Sequence, residues 1–131
     1  MPLADAAELE LRDYGLTFPE ATEHFPWGDR VVKVRAKVFV FLGRPGGGLS
    51  VSAKLPVTGQ EALILPFAAP TGYGLGRSGW VTARFEAGEE VPTGLLRAWI
   101  AESYRAVAPK RLSAGLGLDG AAPGPAAPIA P

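Results

Sequence analysis

The chain has 131 residues, with 13 Lys and Arg against 13 Asp and Glu, one His and no Cys. Its length fits a single domain, and an apolar content of 47% is enough to form a core, which excludes disorder throughout. The absence of Cys excludes disulfides, thiolate nucleophiles and Cys-based zinc sites, and it fits a reducing compartment. No apolar run approaches the roughly 20 residues that span a bilayer, and the first residues do not resemble a secretory leader. We therefore expect a cytoplasmic protein.

The zero net charge conceals a segregation of charge along the chain. Residues 1–29 contain seven acids and one base, whereas residues 30–84 contain eight bases and one acid. A polyanion would therefore be contacted by the middle segment. The acidic first segment is expected to face away from such a ligand or to recruit a protein.

The first half of the chain predicts one helix and a β-hairpin. Apolar residues at helical spacing predict a helix over residues 3–14, with Gly15 as a left-handed stop. Residues 17–28 combine prolines and glycine with aromatic residues, which predicts an ordered loop. β-branched and aromatic residues predict strands over 31–34 and 37–42, joined by a short basic turn. Lys33 and Arg35 are expected on the outer face of the first strand.

The second half predicts two more strands, which alternate with loops. Residues 43–48 are a glycine-rich turn, and alternating apolar and polar residues predict a strand over 49–54. Thr58 is expected to cap a short helix that ends near residue 65. Residues 71–79 are a glycine-rich loop, and residues 80–85 are a fourth strand, either face of which could be buried.

The chain is expected to end in a helix and a tail. Pro92 opens an amphipathic helix that stops before Pro109. Residues 113–131 are rich in Ala, Gly and Pro, which predicts a loose tail after a single domain over residues 1–112. The order of elements predicts an α+β fold of two layers, with an antiparallel sheet and helices packed on one face.

Two glycine clusters superficially resemble nucleotide-binding loops. Residues 43–48 lack the Gly-Lys-Ser/Thr ending of a phosphate loop and precede a strand. Gly72, Gly74 and Gly76 precede a predicted strand at Trp80 and not a helix. We interpret the first cluster as a hairpin turn and predict no cofactor at either one.

His24 is the only imidazole, and Glu20 and Glu23 lie close to it in sequence. One hypothesis is therefore an enzyme that uses a His–carboxylate pair inside a deep pocket. The alternative is a surface or packing histidine. No Ser or Thr has the context of a catalytic nucleophile, and the carboxylates lack the spacing of metal ligands, so we predict no other catalytic site and no metal site.

The basic middle segment is the main candidate binding site. A sheet that gathers its cations on one surface would bind phosphate groups. Tyr73 and Trp80 flank Arg77 in sequence and would stack on a base or sugar if they were exposed. The alternative is that the cations only solvate an open sheet face while Trp80 lies in the core. The candidate phosphate contacts are Lys33, Arg35, Lys37, Arg44, Lys54 and Arg77.

The order of several short motifs resembles the MmcQ/YjbR family of small bacterial proteins over about residues 3–112. The motifs are Phe25-Pro26-Trp27-Gly28; Lys33-Val34 and Lys37-Val38-Phe39; Leu49-Ser50-Val51 with Lys54; Gly72-Tyr73 followed by Arg77 and Trp80; and Leu96, Ile100, Ser103-Tyr104, Val107 and Lys110. The chain departs from the family pattern at Gly74, where a His is common, and at Ser78-Gly79, where basic residues are common.

The resemblance implies a compact α+β domain of the double-wing type, which is labelled DNA-binding because its shape is similar to that of a phage transcription factor domain. It implies no catalytic residues. The first hypothesis is therefore weak binding of double-stranded DNA, with around five phosphate contacts and a log–log salt slope near −4.5. The alternative is an adaptor domain that binds a protein through its sheet face or its aromatic loop, without nucleic acid.

Overall fold

The computed structural model describes residues 1–114, in which a six-stranded sheet is covered on one face by helices. All strand pairs are antiparallel, and the strand order is β1-β2-β3-β4-β6-β5. The strands are β1 (Ala21–His24), β2 (Arg30–Val34), β3 (Lys37–Gly43), β4 (Leu49–Lys54), β5 (Ala68–Pro70) and β6 (Trp80–Phe85). The helices are α1 (Ala4–Leu16), α2 (Gly59–Ala62), α3 (Thr93–Val107) and α4 (Lys110–Ala114). The predicted two-layer α+β fold is confirmed.

The core lies between the sheet and the two long helices. Leu11 of α1 and Leu96 and Ile100 of α3 are completely buried. They belong to one apolar cluster with alternate residues of the strands, such as Val51 and Ala83. Burial of each large aliphatic side chain contributes about 1.5–3 kcal/mol, so these two helices hold the layer together.

Helix α1 continues past the predicted stop at Gly15. That glycine is helical, and a Cβ atom placed on it would lie 3.5 Å from Cγ2 of Val32. The prediction of a left-handed stop is wrong because Gly15 lies inside the helix, which ends one residue later without a left-handed residue, and the contact to Val32 is an ordinary van der Waals distance.

Two short edge strands were not predicted from the sequence. Strand β1 lies within the segment that we predicted as a loop, and β5 has only three residues and ends at Pro70. Both pair with one neighbour only, β1 with β2 and β5 with β6. Their own residues carry a weak strand signal, and the partner strand supplies the order, so local composition does not reveal them.

The short helix α2 is held by a residue from α3. The predicted capping bond from the Thr58 side chain is absent. Instead, the buried carboxylate of Glu102 accepts bonds from the backbone N–H groups of Val57 and Thr58 and from the Thr58 hydroxyl, at 2.7–3.0 Å. A carboxylate of α3 therefore fixes the residues that lead into α2, in place of the predicted local cap.

A buried hydroxyl joins α3 to the sheet at a bulge in β3. The β2–β3 register shifts between Val32 and Lys33. Ser103 Oγ donates to the carbonyl of Phe39 at 2.6 Å and accepts from the backbone N–H of Lys54 at 2.9 Å. The side chain satisfies backbone groups of both β3 and β4, which fixes the helix against the two strands.

The last long helix, α3, ends at Val107, before Pro109, as predicted. Helix α4 was not predicted, and it extends two residues past the expected domain boundary at residue 112. The rest of the predicted tail, residues 115–131, lies outside the described residues.

An aromatic cluster surrounds Tyr104 near the C-terminal end of α3. Its ring stacks on Phe18 with centroids 4.6 Å apart, and it contacts Phe39 edge-on at 5.2 Å. The phenol donates a hydrogen bond to the carbonyl of Pro19 at 2.8 Å. Burial raises the pKa of Tyr104 to about 12.

We expect Tyr104 to make folding sensitive to alkaline pH. Its pKa in the folded protein exceeds the ordinary value near 10, so the stabilisation is fully present below about pH 10 and is lost as the pH rises towards 12. Between these values the free energy of unfolding should fall by about 1.4 kcal/mol per pH unit. Urea unfolding of the wild type and of Tyr104→Phe between about pH 9 and pH 12 measures the contribution of the phenol to the free energy of unfolding. A difference in unfolding free energy between the two proteins that stays constant up to about pH 12 would contradict the prediction.

Candidate nucleic-acid interface

The face of the sheet opposite the helices is not covered by another element within residues 1–114. The register places Lys33 of β2, Phe41 of β3, Lys54 of β4 and Arg84 of β6 on this open face. Alternate positions of the same strands belong to the helix-side core. The open face therefore carries three of the bases of the middle segment.

A small apolar cluster occupies the middle of the open face. The rings of Phe41 and Trp80 meet with centroids 5.4 Å apart, and Val31 and Trp80 are buried although neither belongs to the helix-side core. Trp80 is only 9% exposed. We predicted that Trp80 would stack on a base if it were exposed, with a buried position as the alternative. Its ring is buried against Phe41 and is therefore not available to a base.

We expected helix α1 to face away from a ligand of the basic segment or to recruit a protein. Instead, its carboxylates neutralise part of the basic segment. The Glu8 carboxylate accepts bonds from Arg30 Nε and Arg44 Nη1, each at 3.0 Å. Asp5 accepts a second bond from Arg44, at 2.5 Å. Arg44 also donates to the carbonyls of Gly47 and Gly48. The predicted phosphate contact Arg44 is therefore fully engaged within the chain.

Arg35 is engaged in a second ion pair. We predicted Arg35 on the outer face beside Lys33, but it lies in the β2–β3 turn. Its guanidinium donates hydrogen bonds of 2.7 and 3.3 Å to the Glu20 carboxylate. Both residues have left-handed backbones, with φ of +59° and +62°. The hydrogen bond from Arg35 lowers the pKa of Glu20, and Glu20 raises the pKa of Arg35. A phosphate would have to displace this carboxylate.

The other four predicted contacts lie at one end of the sheet, the end that carries the β2–β3 turn. Lys33 is the second-last residue of β2, Lys37 begins β3 and Lys54 ends β4. Lys54 is paired with Trp80, the first residue of β6, and Arg77 lies in the turn just before it. Since neighbouring strands lie about 4.8 Å apart, these cations are distributed over roughly 14 Å from β2 to β6.

Helix α4 adds two cations to this end. Arg111 lowers the pKa of Glu20 through its charge, after the larger effect of Arg35, so α4 lies near the β2–β3 turn. Lys110 and Arg111 are exposed. Neither residue is among the predicted phosphate contacts, all of which come from the basic middle segment, residues 30–84. We define the basic end as Lys33, Lys37, Lys54, Arg77, Lys110 and Arg111, none of which forms an ion pair within residues 1–114.

The opposite end of the sheet is acidic. It includes the first turn of α1 with Asp5, the β1–β2 connection with Asp29, and the segment after β6. That segment contains Glu86, Glu89 and Glu90. In the folded chain, the two ends of the sheet therefore carry opposite charge: cations lie at the end with the β2–β3 turn and carboxylates at the other end.

His24 does not form the predicted pair with a carboxylate. It is exposed on β1, and its Nε2 lies 2.9 Å from Thr22 Oγ1. Glu23 pairs with Arg30 and Arg12, and Glu20 pairs with Arg35. Among residues 1–114, His24 is therefore an exposed imidazole without a carboxylate partner. In the same range no three His, Asp or Glu side chains are grouped to hold a metal ion.

The glycine-rich segments act as turns. Residues 44–48 connect β3 to β4, which are paired and antiparallel, so the predicted hairpin turn is confirmed. Residues 71–79 connect β5 to β6 and contain a 3-10 turn, Leu75–Ser78.

None of the helices within residues 1–114 has the length and apolar character that a membrane span requires.

Two aromatic side chains stand out in solvent at opposite ends of the sheet. Trp27, in the β1–β2 connection at the acidic end, is 99% exposed. Tyr73, in the β5–β6 connection at the basic end, is completely exposed. Both have left-handed backbones, with φ of +52° and +57°. Neither ring therefore packs against the part of the chain that the structure describes.

The fold and the surface together define a small α+β domain with an open sheet that carries charged residues at both ends. The model of the YjbR family matches residues 16–106, and the chain belongs to that family. The crystal structure of Deinococcus radiodurans protein DR2400, which has a DUF419 domain, is similar with a TM-score of 0.65 and 26% identity. That match covers 83% of this chain and 81% of DR2400. Among curated proteins, the sequence comparison found no match.

Proposed function

We propose that the protein binds DNA weakly through the phosphate backbone, and that the basic end makes the contacts. The observation that carries this proposal is the concentration of unpaired cations at one end of the sheet. Arg35 at that end is neutralised by Glu20, and Arg44 at the opposite end is neutralised by carboxylates of α1. Phosphate contacts of this kind position a protein without reading base sequence. The family resemblance to double-wing domains supports the same proposal.

The surface chemistry favours weak and sequence-independent binding. The cations of the basic end stand on several strands and a helix, so no single element is placed to enter a groove and read base edges. The acidic end repels DNA, which orients the protein with the β2–β3 turn towards the ligand. Arg35 and Arg44 are omitted from the proposed contacts because their guanidinium groups are already bonded.

A salt titration tests the proposal. About four phosphate contacts predict a slope near −3.6 for log affinity against log salt concentration with a duplex, because each contact releases condensed counterions. Fluorescence anisotropy with a labelled duplex at several NaCl concentrations measures the slope. An affinity that does not change with salt would refute backbone-directed binding.

The exposed aromatic loop favours a second candidate function, that of a protein-binding adaptor. Trp27 is almost completely exposed, and a large aromatic residue of this kind is a common anchor of protein interfaces. Affinity capture from a nuclease-treated lysate with the wild type and Trp27→Ala tests it. A stoichiometric partner that is lost with Trp27→Ala supports this function, and an identical set of captured proteins argues against it.

A further inference from the structure

We propose that the basic end prefers single-stranded over duplex DNA, and that Tyr73 stacks on an unpaired base. This inference rests on the proposed function and specifies its ligand. It follows from the position of Tyr73 in the fold, from the rigidity of its loop and from the shape of the surface around it. Neither the family match nor the similar structure assigns this preference.

The Tyr73 ring is held in solvent by a loop with a dense set of backbone bonds. The N–H of Thr71 donates to the carbonyl of Trp80 at 3.1 Å, and the N–H of Gly76 donates to Thr71 at 3.0 Å. A Cβ on Gly76 would lie 2.8 Å from Cβ of Pro70, so the loop closes tightly on itself. The ring is therefore presented by an ordered segment, which reduces the entropy that binding costs.

Tyr73 and Gly74 are the central residues of a tight turn closed by the N–H of Leu75, which donates to the carbonyl of Gly72 at 3.2 Å, and both have positive φ. A residue with a Cβ atom in the left-handed region is strained, and here the strain places a large ring where it buries nothing. A base stacked on the ring would bury its apolar surface. Stacking on aromatic side chains is the usual way in which proteins bind single-stranded nucleic acids without sequence preference.

The neighbouring cations are placed to contact successive phosphates of a single strand. Arg77 lies in the same loop as Tyr73, and Lys54 is the partner of Trp80 at the start of the next strand. Lys33 lies two strands further on, about 10 Å from Lys54 given the usual spacing of strands. A strand that crosses this end therefore meets an aromatic ring and then successive positive charges.

A duplex fits the same surface less well. The faces of its bases are covered by stacking, so the exposed ring of Tyr73 has no partner in it. The six strands together are about 24 Å across, twice the width of a major groove. The cation in the β2–β3 turn, Arg35, is bonded to Glu20 and is not free to contact a duplex at that point.

The test compares a labelled 12-nucleotide single strand with the duplex of the same sequence, by anisotropy at low salt. We expect the wild type to bind the single strand at least about fivefold more tightly. Tyr73→Ala should weaken single-strand binding by about tenfold or more and leave duplex binding within about twofold. Tyr73→Phe, which keeps the ring, should behave as the wild type. Trp27→Ala is the matched control, because it removes an equally exposed aromatic ring at the other end of the sheet.

The outcomes separate this inference from the proposed function. Binding to neither DNA overturns both. Salt-dependent binding in which the duplex binds as tightly as the single strand, or in which Tyr73→Ala weakens both DNAs equally, overturns only the single-strand preference. Since Tyr73 is fully exposed, its variants should unfold at the wild-type temperature, which a thermal scan checks.

Discussion

Replacing Lys33 and Lys54 together with glutamine is expected to lower the affinity for DNA at least about tenfold and to reduce the salt slope by about two. Both side chains project from the open face at the basic end, and neither has a carboxylate partner within residues 1–114. Each therefore offers its full charge to a phosphate. Anisotropy titrations of the variant at several salt concentrations measure both quantities.

The control for this double variant is Arg84→Glu, which changes the net charge by the same amount. Arg84 is exposed on the same face, but it stands opposite Ser50 at the acidic end. It should leave the affinity within about twofold, since exposed charges more than about 10 Å apart are largely screened at 0.1 M salt. Equal losses in the two proteins would show that net charge, and not the basic end, governs binding.

The largest expected loss of stability comes from Gly48→Ala. Gly48 joins the 3-10 turn Pro45–Gly47 to β4 and lies against the end of β6. A Cβ at this position would overlap the carbonyl oxygen of Phe85 and lie 3.1 Å from Cα of Glu86. These are backbone atoms of a paired strand, so the sheet itself must shift. We expect a loss of about 3 kcal/mol in the free energy of unfolding, measured by urea denaturation.

Gly94→Ala is the matched substitution. Gly94 lies in the first turn of α3, and a Cβ there meets no atom within 4 Å. Alanine is a better helix former than glycine, so this variant should be as stable as the wild type or more stable by about 0.5–1 kcal/mol. If Gly48→Ala were equally harmless, the close approach of the turn to β6 would be refuted.

The ion pairs of α1 explain why the charge pattern along the chain was misleading. The acidic first segment and the basic middle segment are distant in sequence, and we expected the helix to face away from the cations. In the fold, Glu8 bridges Arg30 and Arg44. Much of the segregated charge is therefore internal pairing between elements that pack against each other. Which cations stay unpaired depends on where each strand ends, and sequence spacing alone does not show this.

The aromatic residues show the same limit. Tyr73 and Trp80 lie close together in sequence, and both were candidates for stacking if exposed, with a core position as the alternative for Trp80. The first is completely exposed and the second is packed against Phe41. The difference arises because Trp80 is paired with Lys54 in the sheet, whereas Tyr73 stands at the tip of the loop. The sequence predicts a loop at Tyr73 and a strand at Trp80, but it leaves open which face of that strand is buried.

The sequence by itself determined the fold class, the two long helices, the four strongest strands and the family. These features depend on periodicity and on motif order, which are local properties of the chain. Only the tertiary structure decided that β1 and β5 complete the sheet, that Arg35 and Arg44 are neutralised, and that α4 brings Lys110 and Arg111 to the basic end. Each of these depends on contacts between residues far apart in the chain, and such contacts are fixed when the layers pack.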